Sequence, residues 1–219
     1  MFDNYDLSRI VLFDGLDTDE IKTLWSCIDA KVKKYKKNDI IIFEGEIIGS
    51  IGAVLSGSVQ VLRTDIDGNR LVVASIQQYD LFAETYALSK NHESPVMVCA
   101  TEDSVVLWLD VSRLLTTCSS ACIFHRRLIQ NIIELLANKN VYLSKKLDIL
   151  SKRTLREKIL QFLHSYSTSS KERIITIPYN RLAMADYLGV DRSALSRELS
   201  KMKADGLIDY HKNTFILRN

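Results

Sequence analysis

Residues 180–203, NRLAMADYLGVDRSALSRELSKMK, concentrate side chains able to read a nucleic acid. Arg192, Ser193, Ser196, Arg197, Ser200 and Lys201 lie along one side of a predicted helix, and all are donors suited to base edges or phosphates. Leu195, Leu199 and Met202 mark the other side at i, i+4, i+7, a buried stripe. Upstream, Leu182, Ala183, Ala185 and Leu188 fall at helical spacing, Gly189 interrupts them, and Asp191 is the expected N-cap of the second helix. Two short helices joined by a glycine-containing turn predict a helix-turn-helix whose second helix enters a DNA major groove. An ordinary pair of amphipathic surface helices meets the same spacing, so the rest of the chain must discriminate.

Charge does so. Residues 151–219 carry 13 Lys and Arg against 7 Asp and Glu, whereas residues 1–150 carry 16 against 20, so the overall charge of +2 hides a basic end on a mildly acidic body. That asymmetry is the footprint of a nucleic-acid-binding domain joined to something else. At 219 residues and 47% hydrophobic composition the chain is globular, with room for one large domain or two to three small ones. No apolar run approaches the ~20 residues that span a bilayer, and the start MFDNYDLSR lacks a signal-peptide layout. The expectation is a cytoplasmic protein with no membrane partner, its four cysteines reduced.

The elements that would position the motif read clearly. Residues 32–110 are β: the run Ile40–Phe43, a turn near Glu44-Gly45-Glu46, glycines at 49, 52 and 57, alternation through Val59, Val61 and Arg63, and the turn Asp67-Gly68 before LVVASI. MVCA (97–100) and SVVLWL (104–109) close the section, and the short spacing predicts an antiparallel sandwich or jelly-roll barrel with no crossover helices. From Ser119 to Ser151 no Gly or Pro occurs and the period becomes helical. Ile129, Leu136, Leu143 and Leu150 repeat every seven residues, as do Leu128, Leu135, Tyr142 and Ile149. One stripe is expected to rest on the β domain and the first to form a coiled-coil seam with a second copy. Residues 154–166 form another amphipathic helix, 167–170 a loop and 173–177 a strand ended by Pro178. Residues 207–210 and 214–217 flank Lys212-Asn213 as a small hairpin, giving a winged helix-turn-helix. The fold class expected is α+β, with a β jelly roll at 1–118 behind a short helical segment, a dimerisation helix at 119–150 and a DNA-binding domain at 151–219.

This order of parts resembles the Crp/Fnr superfamily of bacterial transcription regulators. The resemblance is carried by IIFEGE (41–46), LSGSVQV (55–61), DLFAE (80–84), the long helix, LAMADYLGVDRSALSREL (182–199) and GLI (206–208). It implies a sensing β-roll, a homodimer, DNA and RNA polymerase as partners, and regulation rather than catalysis. Residue by residue it puts Arg192, Ser193 and Arg197 at base-contacting positions. Ser193 stands where the family often has Glu, so the half-site cannot be borrowed from better-known members. Arg197 suits a guanine through its O6 and N7. Arg181, Ser196 and Lys201 read as phosphate contacts.

The same resemblance outlines an effector pocket from Tyr79, Leu81, Phe82, Glu84, Ser94 and Pro95. Glu84 matches the cyclic-nucleotide-binding members, but Tyr79 and Ala83 occupy positions where glycines are usual, and Ser94 or Pro95 stands where those members place the phosphate-binding Arg. A buried phosphodiester without a cation is left uncompensated at a cost of several kcal/mol, which argues against cyclic AMP and for an unidentified small-molecule effector. Arg70 and Lys90 are the nearby cations in sequence.

Cys118, Cys122 and His125 share a helical face at i, i+4, i+7. Two readings stand: a haem or soft-metal ligand set lacking an obvious fourth member, or core cysteines beside a capping histidine. A cupin-type enzyme needs two or three inward histidines, and residues 32–110 contain only His92. A ligand-free β-roll serving only dimerisation or partner docking fits the same residues as a sensor does.

Overall fold

The computed structural model describes residues 5–65, 68, 70–116, 123–167 and 174–218. The chain divides into two compact units, Met1–Leu136 and Ala137–Asn219.

The first unit opens with two 3-10 turns, Leu7–Arg9 and Val11–Phe13, and helix α1 (Thr18–Ile28), whose start is a capping box between Asp17 and Glu20. Eight strands follow: β1 (Lys31–Tyr35), β2 (Ile40–Ile42), β3 (Ser50–Ser56), β4 (Val59–Thr64), β5 (Arg70–Ile76), β6 (Leu81–Phe82), β7 (Met97–Ala100) and β8 (Ser104–Asp110). They pair antiparallel in two four-stranded sheets, β1-β8-β3-β6 and β2-β7-β4-β5, so the roll is a double sheet rather than a closed barrel. Ile51, Val54, Leu55, Val59, Val98, Leu107 and Leu109 are buried in its core. The two-residue strand β6, which pairs Leu81 and Phe82 with Ala53 and Gly52, has no signal of its own in the sequence. Short helices α2 (Glu84–Ala87) and α3 (Val111–Leu115) complete the roll.

Helix α4 runs from Ile123 to Leu150. The expected start at Ser119, with residues 117–122, lies outside the described residues, as do Asp67 of the predicted turn and residues 168–170 of the predicted loop. In the first unit Leu128 and Ile132 are buried, and Leu135 packs against the same core. Between them Asn131 is buried and its Nδ2 donates to the carbonyl oxygens of Leu12 and Asp14, 2.9 Å each. Of the stripe expected to rest on the β domain, Leu128 and Leu135 join the core of the first unit. Ile149 is buried in the core of the second unit, and the Tyr142 ring meets Tyr187 edge-on at 6.3 Å. The helix outruns the first unit, so its later turns find other apolar partners.

The second unit holds α5 (Leu155–Ser165), β9 (Ile174–Thr176), α6 (Arg181–Leu188), α7 (Arg192–Ala204), β10 (Ile208–His211) and β11 (Thr214–Leu217). A Thr154–Glu157 capping box starts α5. The three strands form an antiparallel sheet in the order β10-β11-β9. Phe162, Leu188, Leu195, Leu199, Met202, Ile208 and Phe215 fill the core.

Candidate nucleic-acid interface and effector region

The recognition motif is built from the caps inward. Asn180 caps α6 by accepting a hydrogen bond from the Ala183 N–H at 2.9 Å. Gly189 ends the helix in the left-handed region at φ 66°, which a glycine adopts without strain. Asp191 holds the N-cap position of α7, but its side chain makes no capping hydrogen bond, so that helix end owes its position to packing rather than to a cap. Leu195, Leu199 and Met202 are fully buried, as their spacing predicts. With that stripe buried, Arg192, Ser193, Ser196, Arg197 and Lys201 are all exposed on α7. Ser200 donates its hydroxyl to the Ser196 carbonyl at 3.0 Å, within its own helix. On the half-buried side Arg156 of α5 ties α7 down: its Nε donates to Glu198 at 2.8 Å and its Nη2 reaches Asp205 at 2.7 Å.

Arg181 differs from the simple phosphate contact expected of it. It is half-buried, with its guanidinium 4.9 Å from the ring centroids of both Tyr210 and Phe215. Burial holds it below the usual arginine value. It lines a cleft of about 610 Å³ with Asn180, Leu182, Arg192, Lys212 and Asn213. In the sequence Lys212-Asn213 reads only as a hairpin turn; the signal available for more is a cation at the tip of a hairpin following the reading helix.

In the roll, Tyr79 and Ala83 have φ of 72° and 66°, the left-handed region. This explains why glycine is usual at these positions: the backbone needs a conformation that costs other residues about 1–2 kcal/mol. The Arg9 guanidinium stacks 4.5 Å from the Tyr79 ring. Leu81 is half-buried, Phe82 buried, and Glu84 buried at the start of α2, where Thr85 Oγ1 donates to its Oε1 at 3.1 Å. Ser94 is 1% exposed, with its N–H donating to the Glu46 carbonyl at 2.9 Å and its hydroxyl to the Val96 carbonyl at 2.8 Å. Pro95 is half-buried, while Arg70 and Lys90 are exposed. Neither Ser94 nor Pro95 carries a charge, and the Ser94 hydroxyl is engaged by the Val96 carbonyl.

Cys118 and Cys122 lie outside the described residues. His125 is buried, and its Nε2 is 2.8 Å from the Leu114 carbonyl oxygen. The described residues contain no cluster of three His, Cys, Asp or Glu able to hold a metal. Among them no helix is long and apolar enough to cross a membrane.

A double-sheet roll, a long helix and a winged helix-turn-helix together define a DNA-binding regulator. Residues 32–121 match the cyclic nucleotide-binding domain and residues 157–219 the Crp-like helix-turn-helix domain. The chain belongs to the Crp/Fnr superfamily of transcription regulators. It is 26% identical over 208 residues to the cyclic AMP receptor protein of Thermus thermophilus, covering 94% of this chain and 92% of that one. To the transcriptional activator protein FnrL of Cereibacter sphaeroides it is 23% identical over 212 residues, covering 88% of this chain and 77% of that one. The solved structure of CprK complexed with OCPA shares the fold at a TM-score of 0.59 and 19% identity, covering 90% of this chain and 92% of that one.

Proposed function

We propose that the chain is a homodimeric, cytoplasmic transcription regulator that reads a pseudo-palindromic operator in response to an effector other than cyclic AMP. The observation that carries this reading is α7: three fully buried apolar residues beneath a face of five exposed donors, on an element able to enter a major groove. In this reading residues 1–118 sense, 119–150 dimerise and 151–219 bind DNA. Arg197 reads a guanine, Arg192 and Ser193 contact neighbouring base edges, and Ser196, Lys201 and Arg181 hold phosphates.

The exposed side of α4 supports the dimer. Ile133, Leu143 and Leu147 are 61%, 61% and 69% exposed, and Leu136 is exposed beside them, an apolar strip that water disfavours and a second copy would cover. The effector region, with Glu84 and Ser94 buried and no cation at Ser94 or Pro95, supports a ligand that is not a phosphodiester. RNA polymerase enters as the partner through which such regulators act, and no catalytic role is assigned to any residue.

Selection from random DNA with the full chain tests the reading. The expected product is a pseudo-palindrome with half-sites centred about 10–11 bp apart. Recovery of no common sequence, or of a single unrepeated half-site, would remove it.

A further inference from the structure

The chain segment ahead of α1 and one side of α1 enclose a cleft of about 400 Å³ within the first unit. None of its lining residues belongs to the effector region around Glu84 and Ser94. Its apolar walls are Tyr5, Leu7, Ile21 and Trp25. Ile21 and Trp25 are one turn apart on α1 and so share a side of the helix. Ile21 is buried, while Tyr5, Leu7 and Trp25 are partly buried against the core of the roll. Asp6, Ser8, Thr18 and Lys22 complete the lining and are exposed, so one carboxylate and one ammonium leave the mouth with no net charge. Lys22 Nζ pairs with Asp19, which does not line the cleft, at 3.4 Å. Asp6 Oδ1 accepts from the Ser8 hydroxyl at 2.5 Å, and its carboxylate keeps acceptor capacity beyond that bond.

These properties select a ligand. The volume falls in the range of small-molecule pockets, and water held against four apolar side chains is favourably displaced by an apolar group. An ion would give up its hydration for apolar walls and a mouth of balanced charge, whereas a hydroxyl can donate to a carboxylate at little cost. We propose that this cleft binds a small uncharged phenol or alcohol, its apolar body against Ile21 and Trp25 and its hydroxyl donating to Asp6. The wall of the cleft is also tied to α4. Residues 5–8 lead into Ile10, Leu12 and Phe13, all fully buried, and the Leu12 and Asp14 carbonyls accept from Asn131 of α4. Arg127 of the same helix donates its Nε–H to the Asp14 carbonyl at 3.4 Å. Arg9, next to the cleft residue Ser8, lies over the Tyr79 ring. An occupant that moves this wall therefore acts on the long helix. Binding stands by itself, while its relay to DNA rests on the DNA-binding reading above.

The probe is 4-propylphenol at neutral pH, titrated into the intact protein while the indole N–H signals of Trp25 and Trp108 are followed by NMR. The Trp25 signal should shift saturably with a dissociation constant of about 1 mM or tighter, and the Trp108 signal should stay in place. Thr18→Phe fills the cleft from an exposed position and leaves the Asp17–Glu20 capping box intact, so it should abolish the shift. Tyramine and 3-(4-hydroxyphenyl)propanoate, a cation and an anion of similar shape, should each bind about tenfold more weakly. Saturating 4-propylphenol should change the DNA affinity of the wild type by about fivefold or more. Asn131→Ala should remove that change while keeping the Trp25 shift. A Trp25 signal that does not move, or that moves equally in Thr18→Phe, overturns the site. Binding that appears only after residues 1–4 are deleted overturns it as well, because the chain's own start would be the occupant. A saturable Trp25 shift with unchanged DNA affinity upholds the site and removes the relay. The same shift in a protein that binds no DNA upholds the site and removes the DNA reading instead.

Discussion

The ring of Phe82 lies across Gly52 where β6 pairs with β3, and Trp108 meets the same ring edge-on at a centroid distance of 5.4 Å. A Cβ on Gly52 would fall inside the van der Waals envelope of the Phe82 ring. Gly52 recurs among the glycines that punctuate the β section, yet it sits inside a strand, where the absent side chain makes room for an aromatic one. Gly52→Ala should cost about 1–3 kcal/mol through overpacking. Urea unfolding of the two proteins measures it, and equal midpoints would mean that Phe82 has an alternative place to go.

Ala83 should respond in the opposite sense. Its left-handed backbone costs about 1–2 kcal/mol, of which the greater unfolded-state freedom of glycine cancels about 0.5–1. Ala83→Gly should therefore stabilise the protein by about 0.5–1 kcal/mol, read as a raised midpoint of denaturation. Tyr79→Gly should gain less, because it also removes the ring under Arg9.

Replacing Leu136 and Leu143 by Lys should convert the proposed dimer to monomers. Both residues are exposed on α4, so the monomer tolerates the charges, whereas a seam would bury them unpaired. Sedimentation equilibrium provides the measurement; a double variant that remains dimeric would put the interface on another surface.

Arg197→Ala should weaken specific DNA binding by about 1–3 kcal/mol per half-site and relax base preference at one symmetric position. Lys201→Ala should instead weaken binding to all sequences alike and make the salt dependence shallower. Base preferences of both variants, measured on random DNA, separate the two roles. An Arg197 variant with wild-type preference at every position would displace it from base reading.

Cyclic AMP at millimolar concentration should give no saturable heat in calorimetry. The proposed cause is local: Ser94 and Pro95 bring no cation to the proposed effector region, and the buried Ser94 hydroxyl already donates to the Val96 carbonyl. A micromolar dissociation constant would require another basic residue, such as Arg70, to fold toward the bound phosphate.

Periodicity made the local elements legible in the amino-acid sequence. The i, i+4, i+7 spacing of Leu195, Leu199 and Met202 identified both the helix and its buried side, and alternation with turn residues located most strands of the roll. These signals are written within a few residues of one another, because hydrogen-bonding geometry sets the repeat along the chain. The tertiary structure decided what periodicity cannot express. Two equivalent stripes ran down α4, yet Leu128 joins the core of the roll and Ile149 that of the second unit, because helix length against partner size settles which turns are covered. Arg181 reads as one more basic residue until the wing folds back and places two rings beneath it. Asn131 finds its partners, the Leu12 and Asp14 carbonyls, only when the chain segment before α1 comes within hydrogen-bond reach. Each of these roles depends on groups tens of residues apart or more, which only the packed chain brings within a few ångströms.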